Sequence, residues 1–207
     1  MSALQALSDE CGNYSINKNL IQNGIIEVPS SAKLDTSSIG PLISALMPEN
    51  AIVSDEAATS SLFVTPHTLM AKPHDWLSLT GGSIGQGLPL AIGAAIAKPN
   101  SPVITLHGDG GAMYTIQALW TQARENLNIT NIIFANNSYE ILKIELDRVG
   151  AVQTGERAES MLSLENPKIN WPQLSKSMGV PSYAPTSVEE FTKIFTQCIK
   201  ESGPSLI

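Results

Sequence analysis

The sequence predicts an α/β fold, a parallel sheet with helices on both faces, and three observations carry that prediction. Short runs rich in β-branched residues recur along the 207 residues and are separated by stretches with helical spacing of apolar side chains. Those runs are apolar enough to be strands covered on both sides, as parallel strands are. Glycine, aspartate and asparagine cluster where the runs end, the edge at which such sheets place their ligands.

The elements follow in order. Met1 to Lys33 has little periodicity and many Ser, Asn and Gly residues, so residues 1–33 read as a linker or tail and 34–207 as the folded domain. A helix is expected from Asp35 or Thr36, an N-cap pair, because Ile39, Leu42, Ile43, Leu46 and Met47 share one face. Ala51 to Ser54 is a short strand feeding Asp55 and Glu56, followed by a helix near Ala57 to Thr65 and a loop containing Pro66 and Pro73. A glycine-rich turn then opens a helix running through Ala97. Val103 to His107 and Ile129 to Ala135 are strands flanking a helical stretch, Met113 to Glu125. Ile141 to Val149, which contains Lys143 and Glu145, is a helix at either the mouth of a site or the plain surface. Asn166 to Pro172 is a loop, and Trp171 to Met178 a helix stopped by Gly179. Val180 to Ala184 is expected to be a strand, Val188 to Lys200 a helix, and Ser205 to Ile207 the start of a last strand. No internal repeat is present.

Composition narrows the function. A formal net charge of −7 argues against nucleic acid or an anionic membrane surface as partner. The longest apolar stretch, Leu88 to Ala97, is too short to span a bilayer. Cys11 and Cys198 give neither a disulfide framework nor a Cys/His metal pattern. With no basic segment leading into an apolar run at the N-terminus, a cytoplasmic location is expected.

Gly108-Asp109-Gly110-Gly111 and Asn136-Asn137 carry the chemistry. In a right-handed β-α-β unit the two strands lie parallel, so Asp109 and Asn137 emerge at the same edge and can share a cation. Glycines let backbone amides approach an anion closely, and a following helix adds its positive dipole end. Mg²⁺ prefers oxygen ligands and keeps substrate phosphate oxygens in its shell. Lys98 is the only Lys or Arg between Gly81 and Gly111, so a diphosphate bound here needs a metal to neutralise it. Taken alone, either motif is most simply a turn.

Other readings of single residues are plainer. The Gly81 to Gly87 segment is neither a P-loop, which needs Lys where Leu88 stands, nor a dinucleotide fingerprint, whose third glycine would fall on Leu90. His67, His74 and His107 lack ligand spacing and read as packing or surface residues, although His107 adjoins the metal loop. Trp76, Trp120 and Trp171 read as core or interface residues, and Glu56 as an exposed or capping acid.

Gly108-Asp109-Gly110-Gly111, 24 residues, then Asn136-Asn137 resembles the thiamine-diphosphate signature. Leu79-Thr80-Gly81-Gly82-Ser83-Ile84-Gly85-Gln86-Gly87-Leu88-Pro89, with Ala91 and Gly93, is similar to an upstream segment of the same family. The resemblance covers roughly Asp35 to Ile207 and is to the cofactor-diphosphate-binding domain of the acetolactate synthase, benzoylformate decarboxylase and pyruvate decarboxylase group. Within it, Ala118 to Ala123 and Gly203 to Ile207 look most like the acetolactate synthases.

That resemblance implies thiamine diphosphate and Mg²⁺ as cofactors. Asp109, Asn137 and the backbone carbonyl of Tyr139 would ligate the metal, and the Gly108 to Gly111 loop would hold the diphosphate through the amides of Gly110 and Gly111. Ile84 matches the bulky residue over which the coenzyme bends, with Gly82, Ser83 and Ile84 meeting the aminopyrimidine and Thr59 in a further contacting loop. Lys143 stands where pyruvate decarboxylases carry a catalytic glutamate, which makes a simple decarboxylase of that type less expected. The family's activating glutamate belongs to an amino-terminal pyrimidine-binding domain outside this sequence, so no catalytic residue is assigned here, and the chain is expected to be part of a larger three-domain enzyme. The implied activity is that of a 2-oxo acid carboligase working as a homodimer or higher oligomer. A non-ligating decarboxylase or lyase, and a non-catalytic module retaining the fold, remain alternatives.

Overall fold

The computed structural model describes residues 2–12, 27–29, 33–151 and 155–207. Among these, five strands form one parallel sheet in the order β2-β1-β3-β4-β5. They are β1 (Ala51–Glu56), β2 (His74–Ser78), β3 (Val103–Gly108), β4 (Ile129–Phe134) and β5 (Ser205–Leu206). Because all run the same way, the loops leaving β1 to β4 emerge side by side at one edge.

Alternation along each strand sorts the side chains onto two faces. Ala51, Val53, Ile104, Leu106 and Ile132 pack with α2 (Thr36–Leu46) and α10 (Val188–Lys200), where Phe191 stacks on Phe195 at 5.5 Å. Ile52, Val103 and Ile129 face α4 (Gly87–Ala97), and Ile133 packs with α6 (Ala118–Arg124) and α9 (Trp171–Ser177). Helices therefore cover both faces. As expected from its cap, α2 starts at Asp35, whose side chain accepts from the amides of Ser37 and Ser38 while Ser38 bonds back to the Asp35 amide.

Several elements differ from the sequence expectation. The tail holds a helix, α1 (Ser2–Cys11), with Leu4 and Leu7 exposed. In place of one helix over 57–65 there are a 3-10 turn, Ser60–Phe63, and a single turn α3 (Thr65–Thr68) entered through Pro66. β2 was not anticipated, since an edge strand with one partner is partly solvated and needs no β-branched run. The helix expected over Met113 to Glu125 is shortened: after a four-residue turn α5 (Asp109–Ala112), residues 113–117 form turns and α6 begins only at Ala118. α7 (Glu140–Arg148) lies where a helix was expected and α8 (Glu156–Met161) where none was. Val180 to Ala184 is not a strand: only Ser182 bridges Leu206, because Pro181 and Pro185 have no N–H to offer a ladder.

Candidate functional site

Four loops meet at the carboxyl edge of the sheet. Their order across it is 79–86 after β2, 57–60 after β1, 108–112 after β3 and 135–139 after β4.

The β3 loop carries Asp109, which is 2% exposed. Its Oδ1 accepts from the Gly110 amide at 2.9 Å, and its Oδ2 from the Asn137 amide at 2.6 Å, so the carboxylate ties the end of β3 to the end of β4. Burial pushes its pKa above the usual carboxylate value against the pull of these two amides. A cation beside Asp109 would offset that burial cost, and each oxygen retains a lone pair for one. Asn137 sits at φ +56°, a left-handed conformation that asparagine tolerates, and its side-chain nitrogen reaches only the Ala135 carbonyl, at 3.5 Å. Its side-chain oxygen accepts no hydrogen bond among the described residues.

Glycine is required at position 110 by close approach: a Cβ there would lie 2.5 Å from Tyr139 Cε1. The Tyr139 carbonyl accepts from the amides of Leu142 and Lys143, at 3.0 and 3.3 Å, and so opens α7. Lys143 pairs with Glu140 at 3.9 Å on the first turn of the same helix.

The β2 loop is exposed from Thr80 to Ile84 and buried at Gly85 and Gly87. Ile84 is 56% exposed at the sheet edge. Gly81, Gly82 and Gly85 all adopt positive φ.

Glu56, at the end of β1, is not the exposed or capping acid that the sequence suggested: it is 4% exposed, and its two carboxylate oxygens accept from the Gly85 and Gly87 amides. Beside it His107 is fully buried, its Nδ1 3.8 Å from Glu56 Oε2 and neither ring nitrogen hydrogen bonded. Burial lowers the His107 pKa to about 4, which leaves the ring neutral at pH 7.

The structure thus joins Asp109, Gly110, Asn137 and Tyr139 directly. A Cβ on Gly111 would lie 3.4 Å from Glu56 Oε1, which makes Glu56 the neighbour shared by the β2 and β3 loops. Thr59 lies in the β1 turn, whose Ala57 carbonyl borders Gly108 and whose start is held by Asp55 through the Ala57 amide and the Ser61 hydroxyl. Among the described residues no hydrogen bond links Thr59, Gly82, Ser83 or Ile84 to the Asp109 loop. A cavity of about 780 Å³ beyond β4, lined by residues including Ile39, Phe134, Trp171 and Ile207, touches Asn136 but holds none of Asp109, Asn137 and Tyr139.

Residues 56–207 match the model of the thiamine pyrophosphate enzyme C-terminal TPP binding domain, thiamine pyrophosphate being another name for thiamine diphosphate. A putative acetolactate synthase large subunit of Mycobacterium tuberculosis is 46% identical over 175 residues, which are 84% of this chain and 34% of that protein. Benzoylformate decarboxylase of Pseudomonas aeruginosa is 27% identical over 174 residues, 84% of this chain and 32% of that protein. Among solved structures, the thiamine diphosphate-dependent 4-hydroxybenzoylformate decarboxylase of Rhodococcus jostii superposes with a TM-score of 0.73 at 29% identity, covering 87% of this chain and 33% of that one. The chain spans about a third of the length of these relatives.

Proposed function

This chain belongs to the thiamine pyrophosphate enzymes as their C-terminal cofactor-binding domain, and we propose that it anchors Mg²⁺ and thiamine diphosphate in a 2-oxo acid carboligase of acetolactate synthase type. The observation that carries this reading is the Asp109 carboxylate, buried and fixed between the Gly110 and Asn137 amides with lone pairs to spare. Asp109 and the Asn137 side-chain oxygen supply hard oxygen ligands of the kind Mg²⁺ takes. The Tyr139 carbonyl, the third proposed ligand, would have to release one of its two α7 amides to join them. Gly108 leaves room for a diphosphate to reach the backbone, a Cβ there meeting only the Ala57 carbonyl at 3.9 Å, while Tyr139 and Glu56 pack beside Gly110 and Gly111. Gly82, Ser83 and Ile84 would meet the aminopyrimidine, with Thr59 closing the site from the β1 side.

When bound, thiamine diphosphate supplies the electron sink for decarboxylating a 2-oxo acid and passing the acyl carbanion equivalent to a second carbonyl. This chain's residues bind and orient it; the activating acid would come from a pyrimidine-binding domain outside the chain. The whole enzyme is proposed to be a homodimer or higher oligomer. The exposed Ile84, Tyr114, Trp120, Ile141, Leu142 and Ile144 support an interface of that kind. Among the described residues no helix is long and apolar enough to cross a membrane, and the free cysteines Cys11 and Cys198 fit a cytoplasmic enzyme.

Isothermal titration of the chain with thiamine diphosphate, in Mg²⁺ and again in EDTA, tests the site. Metal-dependent binding that Asp109→Ala abolishes is expected, without turnover of 2-oxo acid by the chain alone. Binding indifferent to EDTA and to Asp109→Ala would overturn the proposal. The resemblance to benzoylformate decarboxylases favours a second reading, a non-ligating decarboxylase. Full-length enzyme that releases aldehyde rather than a ligated hydroxy-keto acid would establish it.

A further inference from the structure

We propose that Glu56 is a positioning residue, one that sets where the β2 loop presents Gly82, Ser83 and Ile84 by clamping the hinge on which that loop turns. The inference rests on the functional reading above, in which those three residues meet the thiamine half of the cofactor.

Residues 80–84 are exposed and include two glycines at positive φ, and among the described residues their hydrogen bonds are local, Ser83 to the Thr80 carbonyl and Ile84 to the Gly82 carbonyl, so the loop shapes itself without fixing its direction against the sheet. Direction is fixed where the loop enters the core. The Gly85 amide donates to Glu56 Oε1, while the Gly85 carbonyl accepts from Thr115 Oγ1 at 2.8 Å. The Gly87 amide donates to Glu56 Oε2 at 2.6 Å, and its carbonyl accepts from Ser54 Oγ at 2.9 Å. Side chains from β1 and from the bend before α6 thus hold both polar groups of both glycines. Glycine is needed at each point, since a Cβ on Gly87 would lie 2.5 Å from His107 Nε2 and one on Gly85 would lie 2.9 Å from Tyr114 Cβ.

Two acceptors on one rigid carboxylate match two amides two residues apart. Neutral His107 and the Gly111 backbone fill the remaining space around that carboxylate without bonding to it. A buried carboxylate costs stability that an apolar side chain of similar volume would not. What the charge supplies in return is the fixed direction of two amides.

Glu56→Gln separates positioning from packing, because it keeps the volume and replaces one acceptor oxygen with a donor that opposes a glycine amide. The chain and its Glu56→Gln variant are titrated with thiamine diphosphate plus Mg²⁺, and separately with inorganic diphosphate plus Mg²⁺, while hydrogen exchange is followed at Gly82, Gly85 and Gly87. In the wild type, Gly85 and Gly87 exchange far more slowly than Gly82. In the variant, one or both of them speed up and thiamine diphosphate affinity falls about tenfold. Inorganic diphosphate, held by the Asp109 loop, keeps its affinity.

Unchanged thiamine diphosphate affinity in Glu56→Gln, or an equal loss of both ligands, overturns the proposal. Should the variant fail to fold, wild-type exchange at Gly85 and Gly87 as fast as at Gly82 overturns it as well. A wild-type chain that takes neither ligand defeats the functional reading and this inference with it, a result distinct from wild-type binding that Glu56→Gln leaves intact.

Discussion

Asn131→Leu removes the most connected polar side chain of the core. Asn131 Oδ1 accepts from Thr105 Oγ1 at 3.0 Å and from Gln122 Nε2 at 3.2 Å. Its Nδ2 donates to Gln122 Oε1 at 2.8 Å and to the Ser205 carbonyl at 2.9 Å. All four hydrogen-bonding capacities of the amide are used, and Asn131, Gln122 and Thr105 are fully buried. Leucine fills similar space but strands the Gln122 amide and loosens the tie from β4 to β5. Each stranded buried polar group costs about 1–3 kcal/mol. With the Gln122 amide stranded and the Thr105 hydroxyl left without its acceptor, the expected total is about 4 kcal/mol, or a fall of about 8–16 °C in Tm for a chain of this size. Thr105→Val removes one donor from an oxygen that keeps the other, and is expected to cost about 1 kcal/mol. The double variant costs less than the sum, because the Thr105 hydroxyl is no longer left without its acceptor. Urea denaturation followed by circular dichroism measures all three. Asn131→Leu within about 1 kcal/mol of the wild type, at unchanged denaturant slope, would refute the claim that the network holds β3, β4 and β5 in register.

Three further outcomes are expected. Asp109→Asn lowers metal-dependent thiamine diphosphate affinity by about a hundredfold, yet shifts metal-free stability by only about 1 kcal/mol, because relief of a buried charge offsets one mispaired amide; calorimetry and urea denaturation on one sample test both halves. Gly110→Ala drives a Cβ into the Tyr139 ring and costs about 1–3 kcal/mol of stability, together with a changed tyrosine fluorescence that an undisturbed ring would not show. Asp35 and Glu190 have pKa values below the usual range, Asp35 chiefly through the Ser37 hydroxyl and Glu190 chiefly through the Thr186 amide; their contributions are therefore complete above the ordinary carboxylate pKa and disappear as pH falls through the depressed folded values. The Asp35→Asn/Glu190→Gln double variant should show a flatter loss of stability on the acid side, and a curve parallel to the wild type would contradict the caps.

The sequence made the frame and the glycine-rich loop after β3 legible for reasons the structure makes physical. β3 and β4 are long, apolar and flanked by glycine or asparagine, and α2 and α10 carry both caps and apolar faces. β2 was hidden because an edge strand is selected by neither burial nor alternation, and α8 because all of its residues except Met161 are polar or small, which leaves no periodic apolar face. Glu56 was misjudged for a different reason: ionisable residues are read by default as surface groups, and nothing local says that two glycine amides 29 and 31 residues away will meet a carboxylate. A signal was nonetheless present. Ser54 and Glu56, Thr105 and His107, and Asn131 all fall on one alternating phase, which leaves only Asp55 and Thr130 as polar side chains on the other phase of these three strands.

That phase explains why the core of a sheet covered on both sides tolerates so many polar atoms. Ser54, Thr105 and Asn131 are register partners in a row across β1, β3 and β4, and Glu56 and His107 form the next row toward the carboxyl edge. The first row satisfies itself through Gly87, Gln122 and Ser205, and in the second Glu56 holds the β2 loop while His107 packs beside it. A slip of one residue between β1 and β3 would turn Ser54 and Glu56 toward the apolar α2 and α10 face, where no amide awaits them. The polar rows therefore penalise the wrong register more heavily than an all-apolar sheet would. They also make the correct register and the correct placement of the β2 loop the same event.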